Sequence, residues 1–308
     1  GLAGTLGVIV PLAGGFITAR LFGIETVEAI FIGLALSATS VSISAQTLME
    51  LGVLRSKVGL GLLGAAVFDD ILVVLLLSGA SVVFGANDSG AGIGVILLRM
   101  ALFLVGASAV GLYVMPWLMA RAEKLPVSQA VPTAALVFCF VFAWASEALG
   151  GMAAITGAFM AGLFYARTSY KHHIETSLAA LAYALFVPIF LVNIGLQANL
   201  RDISSGLWLF ALALTVVAAL TKVIGSGGGA LLAGFGRLDA LRLGVGMISR
   251  GEVGLIVASV ALGADLISPE TFSGVVFMVI VATLVTPPLL RLAYHDDAPA
   301  PVASSQPE

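Results

Sequence analysis

Residues 57–84 form an unbroken apolar run in which, after the opening Lys57, the only charged residues are two neighbouring acids, Asp69 and Asp70. A bilayer core of ~30 Å is crossed by about 20 apolar residues in helical form, and this run is longer than that. A strand of a membrane barrel would instead alternate apolar and polar positions over about ten residues. The same continuous pattern recurs along the chain. With 60% hydrophobic residues, 10% charged residues and a mean hydropathy of +1.11, a soluble protein could not cover its surface with polar groups. An all-α polytopic membrane protein is therefore expected.

Polar punctuation predicts about ten transmembrane helices, over 2–23, 27–49, 57–84, 92–119, 129–147, 150–168, 178–197, 206–233, 240–263 and 270–293. Arg55, Lys57, Arg121, Lys124, Arg167, Lys171, Arg237, Arg242 and Arg291 then fall on one side, against Arg20, Arg99 and Arg201 on the other. The positive-inside bias makes the nine-residue side cytoplasmic and puts both ends of the chain there. The net charge of −3 and the lack of a basic patch give no indication of nucleic-acid binding. Cys139 lies alone in an apolar run, which fits a buried thiol and excludes an internal disulfide. Gly1 opens directly into an apolar stretch, so a preceding segment is expected, and 295–308 reads as a disordered cytoplasmic tail. Tyr165, Trp117 and Tyr294 read as interfacial anchors, and His172 and His173 as residues of a solvated loop.

Five charges remain at membrane depth: Asp69, Asp70, Lys222, Arg250 and Glu252. Each costs a few kcal/mol unless it faces a cavity or a partner, so three acids against two bases suggest pairing. A single structural ion pair needs one acid, however, and here there are two. On a helix their side chains diverge by about 100°, so one can face a base while the other faces a wetter space. Two carboxylates this close also resist ionising together.

Two spans look interrupted. The second carries Ser37, Ala38, Thr39, Ser40 and Ser42; the ninth carries Gly244, Gly246, Ser249, Arg250, Gly251 and Glu252. Hydroxyls compete for backbone hydrogen bonds and glycine weakens a helix, although small residues also serve close helix packing. Each interrupted span is the middle of a triplet, and the two triplets run in opposite senses. That is the inverted three-helix repeat of many secondary transporters, with a broken middle helix in each half.

The stretches "SATSVSISAQTLMELGVL" at 37–54, "GLLGAAVFDDILVVLLLS" at 61–78, "TKVIGSGGGALLAGF" at 221–235 and "GVGMISRGEVGLIVA" at 244–258 resemble the monovalent cation/proton antiporter family, also called the sodium/hydrogen exchanger family, on its bacterial electrogenic branch. "FVPIFLVNIGLQ" at 186–197 fits a further family segment. The resemblance implies that Asp70 carries the cation or a proton and that Asp69 pairs with Lys222. It implies that Thr39 and Ser40 line the first break beside the ion, with Arg250 and Glu252 in the second. It implies a fold of two core triplets, 1–85 and 201–294, around connecting helices at 86–200 that hold part of a homodimer interface. The expected activity is electrogenic exchange of sodium (or lithium or potassium) for protons across a bacterial inner membrane. No cofactor and no enzymatic step are expected. Potassium/proton exchange is the nearest alternative, and a sodium-coupled solute symporter a more distant one. An intramembrane protease would need its carboxylates facing each other, whereas neighbours on one helix diverge.

Overall fold

The computed structural model describes residues 1–84, 93–152, 154–197 and 205–295, so Arg201 and the tail beyond His295 lie outside the described residues. The described chain is helical: α1 (Leu2–Leu21), α2 (Thr26–Ser37), α3 (Val41–Glu50), α4 (Lys57–Phe84), α5 (Ile93–Ala109), α6 (Met115–Ala122), α7 (Ala130–Ala145), α8 (Ala154–Tyr165), α9 (Lys171–Leu181), α10 (Val187–Gln197), α11 (Ser205–Leu232), α12 (Arg237–Gly246), α13 (Glu252–Gly263) and α14 (Pro269–Ala293). Wider π-helical turns at Val110–Val114 and Ala182–Phe186 join α5 to α6 and α9 to α10, and a third at Ser146–Gly150 extends α7.

Among the described residues, seven stretches are long and apolar enough to cross a membrane: Leu2–Leu21, Thr26–Glu50, Lys57–Phe84, Leu98–Ala122, Ala130–Gly150, Trp208–Leu232 and Pro269–Ala293. Of the remaining expected spans, the sixth contracts to α8, the seventh is divided by a π-helical turn, and the ninth is split between α12 and α13. Large apolar side chains such as Leu21, Leu102, Trp144, Leu209 and Leu284 are exposed. Such a surface suits hydrocarbon rather than water.

The chain divides into two compact units, Gly1–Val73 with Ala198–Glu308, and Val74–Gln197. In the first, α1 lies along both α11 and α2, while α13 packs on α2 and α14 on α3, α11, α12 and α13. Nearly all of α2 from Phe31 onward is buried. Leu48, Leu62, Ala66, Leu243, Met247 and Leu290 form an apolar cluster at one end of this unit. Glycine makes the α1–α11 contact possible. A Cβ on Gly229 would lie 2.5 Å from the Leu2 carbonyl oxygen, and one on Gly225 would collide with that of Leu6. The small-residue stripe is thus a backbone-to-backbone interface.

The second unit has its own core of Met115, Met119, Ala135, Phe138, Phe142 and Ala161. Within it the Ser78 and Thr156 hydroxyls share a buried hydrogen bond of 2.6 Å. Two of the expected interfacial anchors are instead internal. Tyr165 is buried and donates to the Ala135 carbonyl at 2.8 Å, and in the first unit Tyr294 is buried beneath the Arg242 guanidinium, 4.3 Å from its ring centre. Trp117 is exposed, with Arg121 over its ring. Replacing Gly225 with leucine forces a side chain into the Leu6 backbone, and overpacking of this kind costs about 1–3 kcal/mol. A clearly lowered melting temperature of the purified variant in detergent is the expected outcome.

Candidate functional site

Both middle helices of the first unit are broken. α2 ends at Ser37, Ala38 and Ser40 take extended conformations, and α3 begins at Val41. α12 ends at Gly246, and α13 begins at Glu252 after a non-helical stretch through Met247 and Gly251. Each break frees carbonyls on one side and N–H groups on the other, and these must find partners where water is scarce.

The breaks find them in each other. The Ser40 N–H donates to the Ser249 carbonyl at 3.0 Å, and the Ser44 hydroxyl donates to the Gly246 carbonyl at 2.6 Å. A Cβ on Gly251 would sit 2.5 Å from that of Ser40, so glycine is what lets the two segments cross this closely.

Arg250 is fully buried and answers the free carbonyls of α12. Its Nη1 donates to Met247 and Ile248 at 3.0 and 2.9 Å, and its Nη2 to Ala218 at 3.0 Å. The cation therefore sits at the negative end of a helix dipole. Thr283 in turn donates its hydroxyl to the Arg250 carbonyl. This differs from charge counting, which suggested a carboxylate partner for Arg250. Among the described residues its hydrogen bonds go to carbonyls, because a broken helix supplies acceptors that a list of charged residues does not reveal. Glu252 takes the complementary place at the first position of α13, the positive end of its dipole. Its side chain is exposed, with the Ser40 hydroxyl 3.4 Å from Oε2.

The first break also reaches the ion pair. Lys222 on α11 and Asp69 on α4 are both wholly buried, with Nζ 2.7 Å from Oδ2. Thr39, from the first break, also donates to that oxygen. Its hydroxyl is therefore committed to Asp69. The other oxygen, Asp69 Oδ1, is buried with no hydrogen-bond partner, and so are Asp70 Oδ1 and Ser249 Oγ. Asp70 itself is partly exposed. The structure thus gathers Asp69, Lys222 and Thr39 into one contact set, and Ser40, Arg250 and Glu252 around the crossing. Asp70, the next residue after Asp69 on α4, keeps at least one oxygen uncommitted.

Burying an ion pair costs several kcal/mol per ion, and the attraction offsets this only where the remaining hydrogen bonds are satisfied. Here they are not, so this pair is poorly suited to stabilising the fold. Bare carboxylate and hydroxyl oxygens beside freed backbone are suited to receiving a hard cation or a proton. Sequence reading missed Thr283 and Ser44, hydroxyls whose role depends on which carbonyls the breaks expose.

The profile of the transmembrane sodium/hydrogen exchanger family matches residues 2–292. The chain is 42% identical over 288 residues to the Na(+)/H(+)-K(+) antiporter GerN of Bacillus cereus, covering 94% of this chain and 73% of that protein. It is 38% identical to a Na(+)/H(+) antiporter of Enterococcus hirae, covering 93% and 74%. The solved structure of the sodium proton antiporter MjNhaP1 from Methanocaldococcus jannaschii aligns with a TM-score of 0.64 at 17% identity, over 95% of this chain and 75% of that one.

Lys222→Gln leaves the Asp69 carboxylate buried without its counter-charge and is expected to lower stability by about 3–5 kcal/mol. Adding Asp69→Asn should restore most of the loss. A double-mutant cycle of melting temperatures checks both.

Proposed function

The chain belongs to the sodium/hydrogen exchanger family, and on that footing we propose that it exchanges sodium for protons across a bacterial plasma membrane, with Asp70 as the shared carrier. The observation that supports this most strongly is the uncommitted, buried oxygen of Asp70 next to an ion pair whose own second oxygen is also bare.

The chemistry follows from sharing. Sodium prefers hard oxygen ligands, and a protonated Asp70 has lost the charge that attracts it. Proton and cation therefore compete for one carboxyl group. If only occupied states cross between the two membrane faces, competition becomes antiport. Asp69 holds Lys222 while the site is empty; a cation or a proton that neutralises the carboxylates releases it. Moving one net charge is worth about 2.3 kcal/mol per 100 mV, so an unequal ion count lets the membrane voltage drive sodium out.

The architecture proposed for this activity has ten crossings, with α8, the α9–α10 segment and the α12–α13 pair adding to the seven longer ones. Triplets within 1–85 and 201–294 form inverted repeats of the transport core, and 86–200 contributes the scaffold of a homodimer. Both ends of the chain face the cytoplasm, by the weight of basic residues on that side. Potassium is the second cation to consider, because one close relative is named a Na(+)/H(+)-K(+) antiporter.

Proton movement in sealed vesicles carrying the full chain tests the proposal. Adding sodium, lithium or potassium should collapse an imposed pH gradient, and the exchange should respond to an imposed voltage. No proton movement with any of the three would refute antiport. Asp70→Asn should abolish exchange; retained activity would move the carrier elsewhere.

A further inference from the structure

Several buried hydroxyls on these helices return a hydrogen bond to the carbonyl one turn earlier, as Thr215, Ser78 and Thr286 do. Ser226 does not. It is wholly buried on α11, one turn after Lys222, and its hydroxyl has no hydrogen-bond partner. An unsatisfied buried hydroxyl is costly, and the ordinary remedy is one rotamer away.

Lys222 has the complementary surplus. An ammonium offers three donors, and among the described residues Asp69 is its one hydrogen-bond partner. The two groups converge on α1 at Gly7. A Cβ there would collide with Ser226 Oγ and would lie 3.7 Å from Lys222 Nζ. The missing side chain leaves a small space into which both polar groups point.

We infer that Ser226 is the second acceptor for Lys222: its hydroxyl takes the ammonium when Asp69 gives it up. This rests on the exchange cycle proposed above, in which neutralising the carboxylates releases the lysine. A released ammonium in this dry setting would otherwise face no partner, and that cost would oppose cation binding. Ser226 lowers it by a side-chain torsion of Lys222, with no helix movement. Ser226 acts through Lys222 and touches no ion, so it is a positioning residue. The role also explains why Gly7 and Ser226 face each other: a larger residue at position 7 would fill the space the ammonium needs.

Ser226→Ala in sealed vesicles carrying the full chain should raise the sodium concentration for half-maximal exchange roughly tenfold at fixed pH, equivalent to about 1.4 kcal/mol. It should raise the sodium-free melting temperature slightly, because an unsatisfied buried hydroxyl is removed, while shrinking the rise that sodium produces. Ser226→Thr, which keeps the hydroxyl, should recover much of the sodium dependence. A Ser226→Ala variant with the original half-saturation and the original sodium-dependent rise overturns the inference. So does a Ser226→Thr variant as impaired as Ser226→Ala, which would assign the effect to packing. If the unaltered chain neither exchanges protons nor is stabilised by sodium, the exchange reading fails and this inference fails with it.

Discussion

A lysine and an aspartate, each at zero exposure and 2.7 Å apart, are the constraint around which the first unit is arranged. In hydrocarbon neither charge survives without the other, so α4 and α11 must meet at Asp69 and Lys222. The glycines at 225 and 229 let α1 lie close against α11. The meeting of α4 and α11 also brings the first helix break within reach, because Thr39 completes the coordination of the same carboxylate oxygen.

The second constraint is the backbone itself. A helix broken inside a membrane exposes polar groups that lipid cannot satisfy. The fold meets this by crossing two such breaks, so that Ser40 serves Ser249, Ser44 serves Gly246, and Arg250 collects the carbonyls of Met247, Ile248 and Ala218. The arrangement places a cation at one helix C-terminus and Glu252 at a helix N-terminus, each matching the local dipole. Among the described residues, buried side-chain oxygens of Asp69, Asp70, Ser226 and Ser249 are still left without hydrogen-bond partners.

Much of this was legible before any coordinates. Asp69, Asp70 and Lys222 stand out because lipid penalises charge, and the two breaks show as hydroxyls and glycines within apolar runs. The misreadings share one cause. Counting charges assigned Arg250 a carboxylate, when freed carbonyls were its partners. Ser226 does not stand out in the sequence at all, since the direction of one hydroxyl is not encoded in residue type. Position near a span end made Tyr165 and Tyr294 look like surface anchors, whereas each has its polar or aromatic face engaged inside. The break between α12 and α13 also leaves the ninth span as two pieces, each too short to read as one crossing.

The separation in sequence between the two halves of the ion pair carries a consequence for how the protein is made. Asp69 precedes Lys222 by 153 residues. At about 5–20 residues per second, the ribosome delivers the aspartate roughly eight to thirty seconds before the lysine exists. During that interval α4 has entered or approached the bilayer without the charge that will match it. The first break is likewise left unstitched until Gly246 and Ser249 emerge. The early third of the chain therefore waits for the last third, and the site stays unfinished until α11 and α12 arrive to close it.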